Sequence, residues 1–140
     1  MQLAVQFEAE PGKITIGITS LMGQLKPHVK DVADLGTIEL VIAEVLNNIT
    51  EHAYSDQGFG VIEGQFEVQE GKLSVHLHDH GKPMPGLELP KGKLADLNVD
   101  LQDLPEGGFG WYMIRQLTQG LTYRRLDDQN HLSFEIELAS

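Results

Sequence analysis

Glu39-Leu-Val-Ile-Ala-Glu-Val-Leu-Asn-Asn-Ile-Thr-Glu-His-Ala-Tyr54 carries two patterns at once. Ile38, Val41, Ile42, Val45 and Ile49 recur at helical spacing, which predicts a helix with one face turned to a core. Glu44 and Asn48 lie one turn apart, beside that stripe rather than opposite it. A carboxylate and an amide at the edge of a core fit a pocket wall, where oxygen donors grip a metal-bound phosphate. A solvated helix edge gives the same two residues, so the helix alone does not decide between the two.

Upstream, Leu3, Val5 and Phe7 alternate as a strand, and Ile14, Ile18, Leu21 and Leu25 predict a first helix over roughly 11–26, with Pro11 in its first turn and Pro27 ending it. Asp34-Leu-Gly-Thr37 offers cap residues for the second helix, which runs to about Tyr54, and residues 55–58 read as loop. Downstream, Ile62, Gly64, Phe66 and Val68 alternate with polar residues. Glu70-Gly-Lys72 turns the chain, and Leu73, Val75 and Leu77 alternate in the same way. The period puts Asp79 on the same, core-facing side. An ionised carboxylate there is costly unless it is hydrogen-bonded or meets a ligand, although an exposed strand end would relieve it too.

Residues 82–106 hold four prolines and little periodicity beyond a short turn near 93–97. A connection of that length in a small domain reads as a lid or binding loop. Gly107-Gly-Phe-Gly110 then opens a helix through Trp111, Ile114 and Leu117, with Gly120 as its stop. Two strands, Leu121–Leu126 and His131–Leu138, finish the chain around an Asp-Asp-Gln-Asn turn. The expected fold is α+β, a two-layer sandwich with helices on one face of a mixed, mainly antiparallel sheet.

The bulk numbers narrow the function. The 140 residues suit one domain, 1–140. A net charge of −11 disfavours direct nucleic-acid binding. The absence of cysteine excludes disulfides, thiol catalysis and thiolate metal sites. No apolar run approaches the roughly 18–20 residues that span a bilayer. The opening residues lack the basic start and apolar block of a signal peptide, so a cytoplasmic chain without membrane contact is expected.

A glycine cluster at a helix N-terminus is an anion site in principle, because free amides and the helix dipole favour phosphate. Flexible turns produce the same cluster, and neither a P-loop nor a dinucleotide fingerprint is present. Three motifs in order are more specific. Glu44-x-x-x-Asn48-x-x-x-His52-Ala-Tyr54, Asp79-x-Gly81-x-Pro83 and Gly107-Gly-x-Gly110 before a helix resemble the GHKL ATPase superfamily. More narrowly, the chain resembles the bacterial anti-sigma-factor serine/threonine kinases over nearly its whole length, which implies a histidine-kinase-like ATPase fold.

The resemblance implies roles for matching positions. Asn48 would ligate Mg2+, and Glu44 would accept or orient the proton of an attacking hydroxyl. Asp79 would accept from the adenine amino group of ATP, with Gly81 giving the base room. Gly108 and Gly110 would line the phosphates beneath a lid at about 84–106. His52 and Tyr54 match the first motif and read as packing of the helix end. The implied partners are an anti-anti-sigma-type antagonist, phosphorylated on serine or threonine, and a sigma factor or other response regulator, with transcription controlled by partner switching. Family members often form homodimers.

Two departures concern the lid and the second motif. Asp-His-Gly-Lys-Pro replaces an Asp-x-Gly-x-Gly form, and Phe109 and Trp111 stand where smaller aliphatic residues are common. No N-terminal helical pair with a phosphoacceptor histidine appears, so a complete sensor kinase is not expected. The main rival is a nucleotide-gated protein-binding module without phosphoryl transfer. A structural interaction domain without a ligand is a further alternative. His76, His78 and His80 share one strand face and offer imidazoles for zinc. A solvated or partner-facing sheet surface accounts for them better. Arg124 and Arg125 read as surface charges.

Overall fold

The structure, a computed structural model, describes residues 1–10, 12–54, 59–90 and 108–139, the side chains of residues 108 and 109 excepted. Along the chain come β1 (Gln2–Glu8), α1 (Ile14–Leu25), α2 (Val32–Ala53), β2 (Val61–Gln69), β3 (Lys72–Asp79), α3 (Gly108–Leu117), β4 (Gln119–Leu126) and β5 (Gln129–Glu137). The strands form one sheet in the order β1-β2-β3-β5-β4. Every pairing is antiparallel, where a mixed sheet was expected. The helices α1 and α2 return the chain to the end of the sheet it left, as the hydrogen bond from the Ala9 amide to the Gly60 carbonyl (2.8 Å) records. The helices cover one face, so the fold is the α+β two-layer sandwich.

The helical stripes are the ones the spacing predicts. Ile14, Ile18, Leu21 and Leu25 of α1 are buried, as are Ile38, Val41, Ile42, Val45 and Ile49 of α2. They close on the inward residues of the sheet, among them Phe7, Ile62, Phe66, Leu73, Leu77 and Phe134. Each fully buried aliphatic or phenyl side chain contributes about 1.5–3 kcal/mol, enough to override the poor helix propensity of the Thr, Ile and Gly residues of α1.

Several boundaries differ from the sequence expectation. α2 starts two residues before Asp34, at Val32, with Asp31 as N-cap, its carboxylate accepting from the Ala33 amide at 2.7 Å. The Asp34–Thr37 segment therefore lies inside the helix. α3 stops at Leu117, and Gly120, at φ +63°, lies in β4 beside a register shift between Gln119 and Thr122. The last hairpin turns on two residues, Asp127 and Asp128, both at positive φ (51° and 63°), instead of four. This is the tight geometry that matches strand twist, and it lets β5 begin at Gln129. Pro11, the loop at 55–58 and the turn expected near 93–97 lie outside the described residues, as does the lid beyond residue 90. Among the described residues no helix is long and apolar enough to cross a membrane.

Candidate functional site

The site lies where the C-terminal half of α2, the end of β3 and the first turn of α3 meet. Asn48 is buried, 8 % exposed, and its Nδ2 has no hydrogen-bond partner among the described residues. Leaving a buried amide unpaired costs about 1–3 kcal/mol, so the position favours a ligand. The two ends of an amide are interchangeable by rotation, which presents the oxygen at the same place. That suits a hard cation such as Mg2+.

Glu44, one turn earlier, is half-buried. Its carboxylate lies against Gly110, where a Cβ would overlap Glu44 Oε1. The backbone of α3 therefore approaches α2 as closely as a glycine allows, and the first and third sequence motifs meet. The carboxylate stands at the first turn of α3, where unpaired amides and the helix dipole favour negative charge. Gly108 opens that turn as the first residue of α3. The side chain of Phe109 lies outside the described residues, whereas Trp111 is buried in the core.

Asp79 ends β3 on the inward face, 3 % exposed, as the alternation predicts. Its Oδ1 accepts from the Gly81 amide at 2.9 Å and from Asn130 Nδ2 at 2.8 Å. Burial raises its carboxyl above the ordinary range, opposed by those two donors, the Arg125 guanidinium and His80. Gly81 has a packing reason to be glycine, since a Cβ there would overlap the backbone of Ala53 at the end of α2. The missing Cβ is thus what lets the helix end come this close to the turn after β3. Next to it, the Lys82 amide donates to the Ala53 carbonyl at 2.8 Å.

Over Asp79 lies a cavity of about 20 Å³, bounded by Ile49, His52, Met84, Leu89, Trp111 and Tyr123 among others. That is room for about one water molecule. It is roofed by a strap, residues 82–90, tied at both ends. The Met84 amide donates to the Tyr123 hydroxyl at 2.9 Å, and Arg115 of α3 donates to the Pro90 carbonyl at 3.0 and 3.1 Å.

Tyr54 caps α2. Its hydroxyl donates to the Val61 carbonyl (2.8 Å) and accepts from the His80 amide (2.9 Å), fastening the helix end to both strands of the middle hairpin. His52 borders the cavity. His76 and His78 point to the open face of the sheet with His131 of β5, whose ring stacks on His78 at 5.7 Å. A carboxylate absent from the sequence pattern does stand there, Glu63 bonded to His78 at 2.7 Å. Among the described residues no three His, Cys, Asp or Glu side chains are placed to hold a metal ion.

Three site residues escaped sequence reasoning. Asn130 is buried at 6 % exposure and faces Asp79 across the β3–β5 register. Arg125, expected at the surface, donates to the Gly81 carbonyl (2.7 Å) and to Asn130 Oδ1 (3.1 Å). Tyr123 also donates to Asn130 Oδ1. The signal was available: Asn130 shares the parity of Leu132, Phe134 and Ile136, but only if the strand begins before His131.

Against known proteins, residues 8–136 match the family model described as the histidine kinase-like ATPase domain. An anti-sigma F factor of Clostridium botulinum is 26 % identical over 107 residues, which is 76 % of this chain and 70 % of that one. A serine-protein kinase RsbW of Listeria monocytogenes is 25 % identical over 118 residues, 83 % of this chain and 74 % of that one. Among solved structures, a blue-light activated histidine kinase of Erythrobacter litoralis superposes with a TM-score of 0.51 at 25 % identity. That match covers 77 % of this chain and 31 % of the longer kinase.

Proposed function

The chain belongs to the histidine kinase-like ATPase domain family, and on that premise we propose that it is an ATP-dependent protein serine/threonine kinase of the anti-sigma-factor type. Its substrate would be a small antagonist of the anti-anti-sigma class. Its other partner would be a sigma factor or comparable response regulator, released or held in the cytoplasm according to the antagonist's state. The names and coverage of the Clostridium and Listeria relatives support this assignment.

The observation that carries the proposal is the contact of Glu44 with the first turn of α3, one helical turn from Asn48, whose amide nitrogen has no partner among the described residues. Asn48 would hold Mg2+, which when bound supplies charge neutralisation for the phosphates. Gly108 and Gly110 leave the α3 amides open to phosphate oxygens. Glu44, beside that turn, is within reach of a hydroxyl entering there and would orient it and take its proton. Asp79 would accept the amino group of the adenine. Catalysis of this kind rests on positioning and electrostatics.

The strap over Asp79 also suits the second reading, a nucleotide-gated binding module in which ATP reshapes a partner surface without phosphoryl transfer. Calorimetric titration of the protein with ATP and Mg2+, with Asp79→Asn alongside, tests the nucleotide site. Saturable binding that the variant loses is expected, and no binding to folded wild-type protein would sink both readings. Glu44→Ala separates the two: retained ATP binding with loss of transfer to the antagonist identifies the kinase.

A further inference from the structure

Asn130 has no hydrogen-bonding capacity to spare. Its Oδ1 accepts from the Tyr123 hydroxyl and from Arg125 Nη1, and its Nδ2 donates to Asp79 Oδ1 and to the Lys82 carbonyl, each at 2.8 Å. A guanidinium can only donate, so the amide oxygen must be the end that faces Arg125. The Tyr123 hydroxyl accepts from the Met84 amide, which leaves its own proton for the same oxygen. The amide nitrogen is thereby forced onto Asp79, and a rotation of the amide would break four bonds together.

We propose that Asn130 is a positioning residue that sets base specificity: locked by Arg125 and Tyr123, it keeps Asp79 an acceptor and so selects a base bearing an exocyclic amino group. The inference rests on the ATP site proposed above and deepens it. A carboxylate only accepts, whereas a protonated carboxyl also donates, and the two forms favour different bases. Adenine offers an amino group; hypoxanthine, the base of ITP, offers a carbonyl oxygen at that place. With Asn130 and the Gly81 amide both donating to Oδ1, recognition falls to Oδ2, which accepts only as long as those donors oppose protonation of the carboxylate. Among the described residues, the other charged or titratable groups near Asp79 are Arg125 and Tyr123 on β4, His80 beyond the strand end, His52 and Tyr54 at the end of α2, and Lys82 on the strap.

Removing the Asn130 donor leaves burial to act on Asp79 with less opposition, so its carboxyl is raised further and protonates at higher pH. The test is calorimetric binding of ATP and of ITP to wild-type protein, Asn130→Ala and Arg125→Met, from about pH 6 to about pH 8. Thermal melting checks that each variant is folded, and the 13C carboxyl shift of Asp79 is followed without nucleotide. Wild type should prefer ATP over ITP by about 10- to 100-fold across this range. In Asn130→Ala the preference should collapse at the acid end and recover as pH rises, with the Asp79 titration moved up. Arg125→Met, which removes one of the two locks on the amide and a positive charge near Asp79 while Tyr123 still holds the amide oxygen, should move both readouts in the same direction by less. Unchanged selectivity and an unchanged Asp79 titration in the folded variants would overturn the assignment of Asn130. Absence of ATP binding to wild type would instead overturn the ATP site itself, and this inference with it.

Discussion

Gly110 in the first turn of α3 sits against the carboxylate of Glu44 on α2 so closely that no side chain fits between them. The contact joins residues far apart in sequence into one surface, a carboxylate beside a helix N-terminus. Its tightness has a measurable consequence.

Gly110→Ala places a methyl group against Glu44 Oε1. The obstacle is the end of a flexible side chain, and alanine is the better helix former, so stability should change by less than about 1 kcal/mol. ATP affinity should nevertheless fall by about tenfold or more, because the displaced carboxylate is pushed toward the amides that would receive phosphate. Equal denaturation midpoints with weakened calorimetric binding would bear this out; unaltered binding would remove Gly110 from the phosphate site.

Asp79→Asn should abolish nucleotide binding without unfolding the chain. The Asp79 carboxyl is held above its ordinary value, chiefly by burial, so the native state binds its proton more tightly than the unfolded state. Its stabilising contribution is complete below the unfolded value and is lost as pH rises through the folded one. The variant should therefore melt at or above the wild-type temperature at neutral pH, and that margin should shrink on acidification. A variant much less stable at neutral pH would show that the carboxylate supports the fold.

Burial and the neighbouring His131 and His78 lower the His76 imidazole below its ordinary value. Here the sign is reversed: the unfolded chain takes the proton first, so stability present above about pH 6.5 declines as pH falls through the folded value. His76→Gln keeps a side chain able to bond Ser133, which His76 now meets through Nδ1 at 2.8 Å. Its melting temperature should fall less than that of wild type between about pH 7 and about pH 5. Parallel curves would exclude His76 as a source of acid lability.

Tyr54→Phe deletes a hydroxyl that bonds the Val61 carbonyl and the His80 amide. A loss of about 1–3 kcal/mol in chemical denaturation is expected, since a buried polar partner is left unpaired. The aromatic ring packed against Gly60 is retained, so the fold itself should survive.

Much of this is legible in the amino-acid sequence, and the reason is periodicity. Leu73, Val75 and Leu77 fixed the parity that turns Asp79 inward, and the two helical stripes placed Glu44 and Asn48 at one core edge. What escaped depended on ends and on contacts between distant segments. Reading the last turn as four residues instead of two hid Asn130 among turn residues, although a two-residue turn puts it opposite Asp79. Arg125 looked like a solvated charge because nothing local shows that the Gly81 carbonyl lies beside it. The approach of Gly110 to Glu44 is likewise a property of packed helices, which spacing along the chain does not encode.

The strap has a kinetic meaning. Its two ends are tied, by Met84 to Tyr123 and by Arg115 to the Pro90 carbonyl, and it leaves about 20 Å³ over Asp79. A purine needs more room than that, so its binding beside Asp79 would require the strap to move. Nucleotide association should then show an observed rate that stops rising at high ATP concentration, at the opening rate of the strap. Release would face the same barrier. A nucleotide bound there would leave no faster than the strap opens, so one segment would set the pace of both exchange steps.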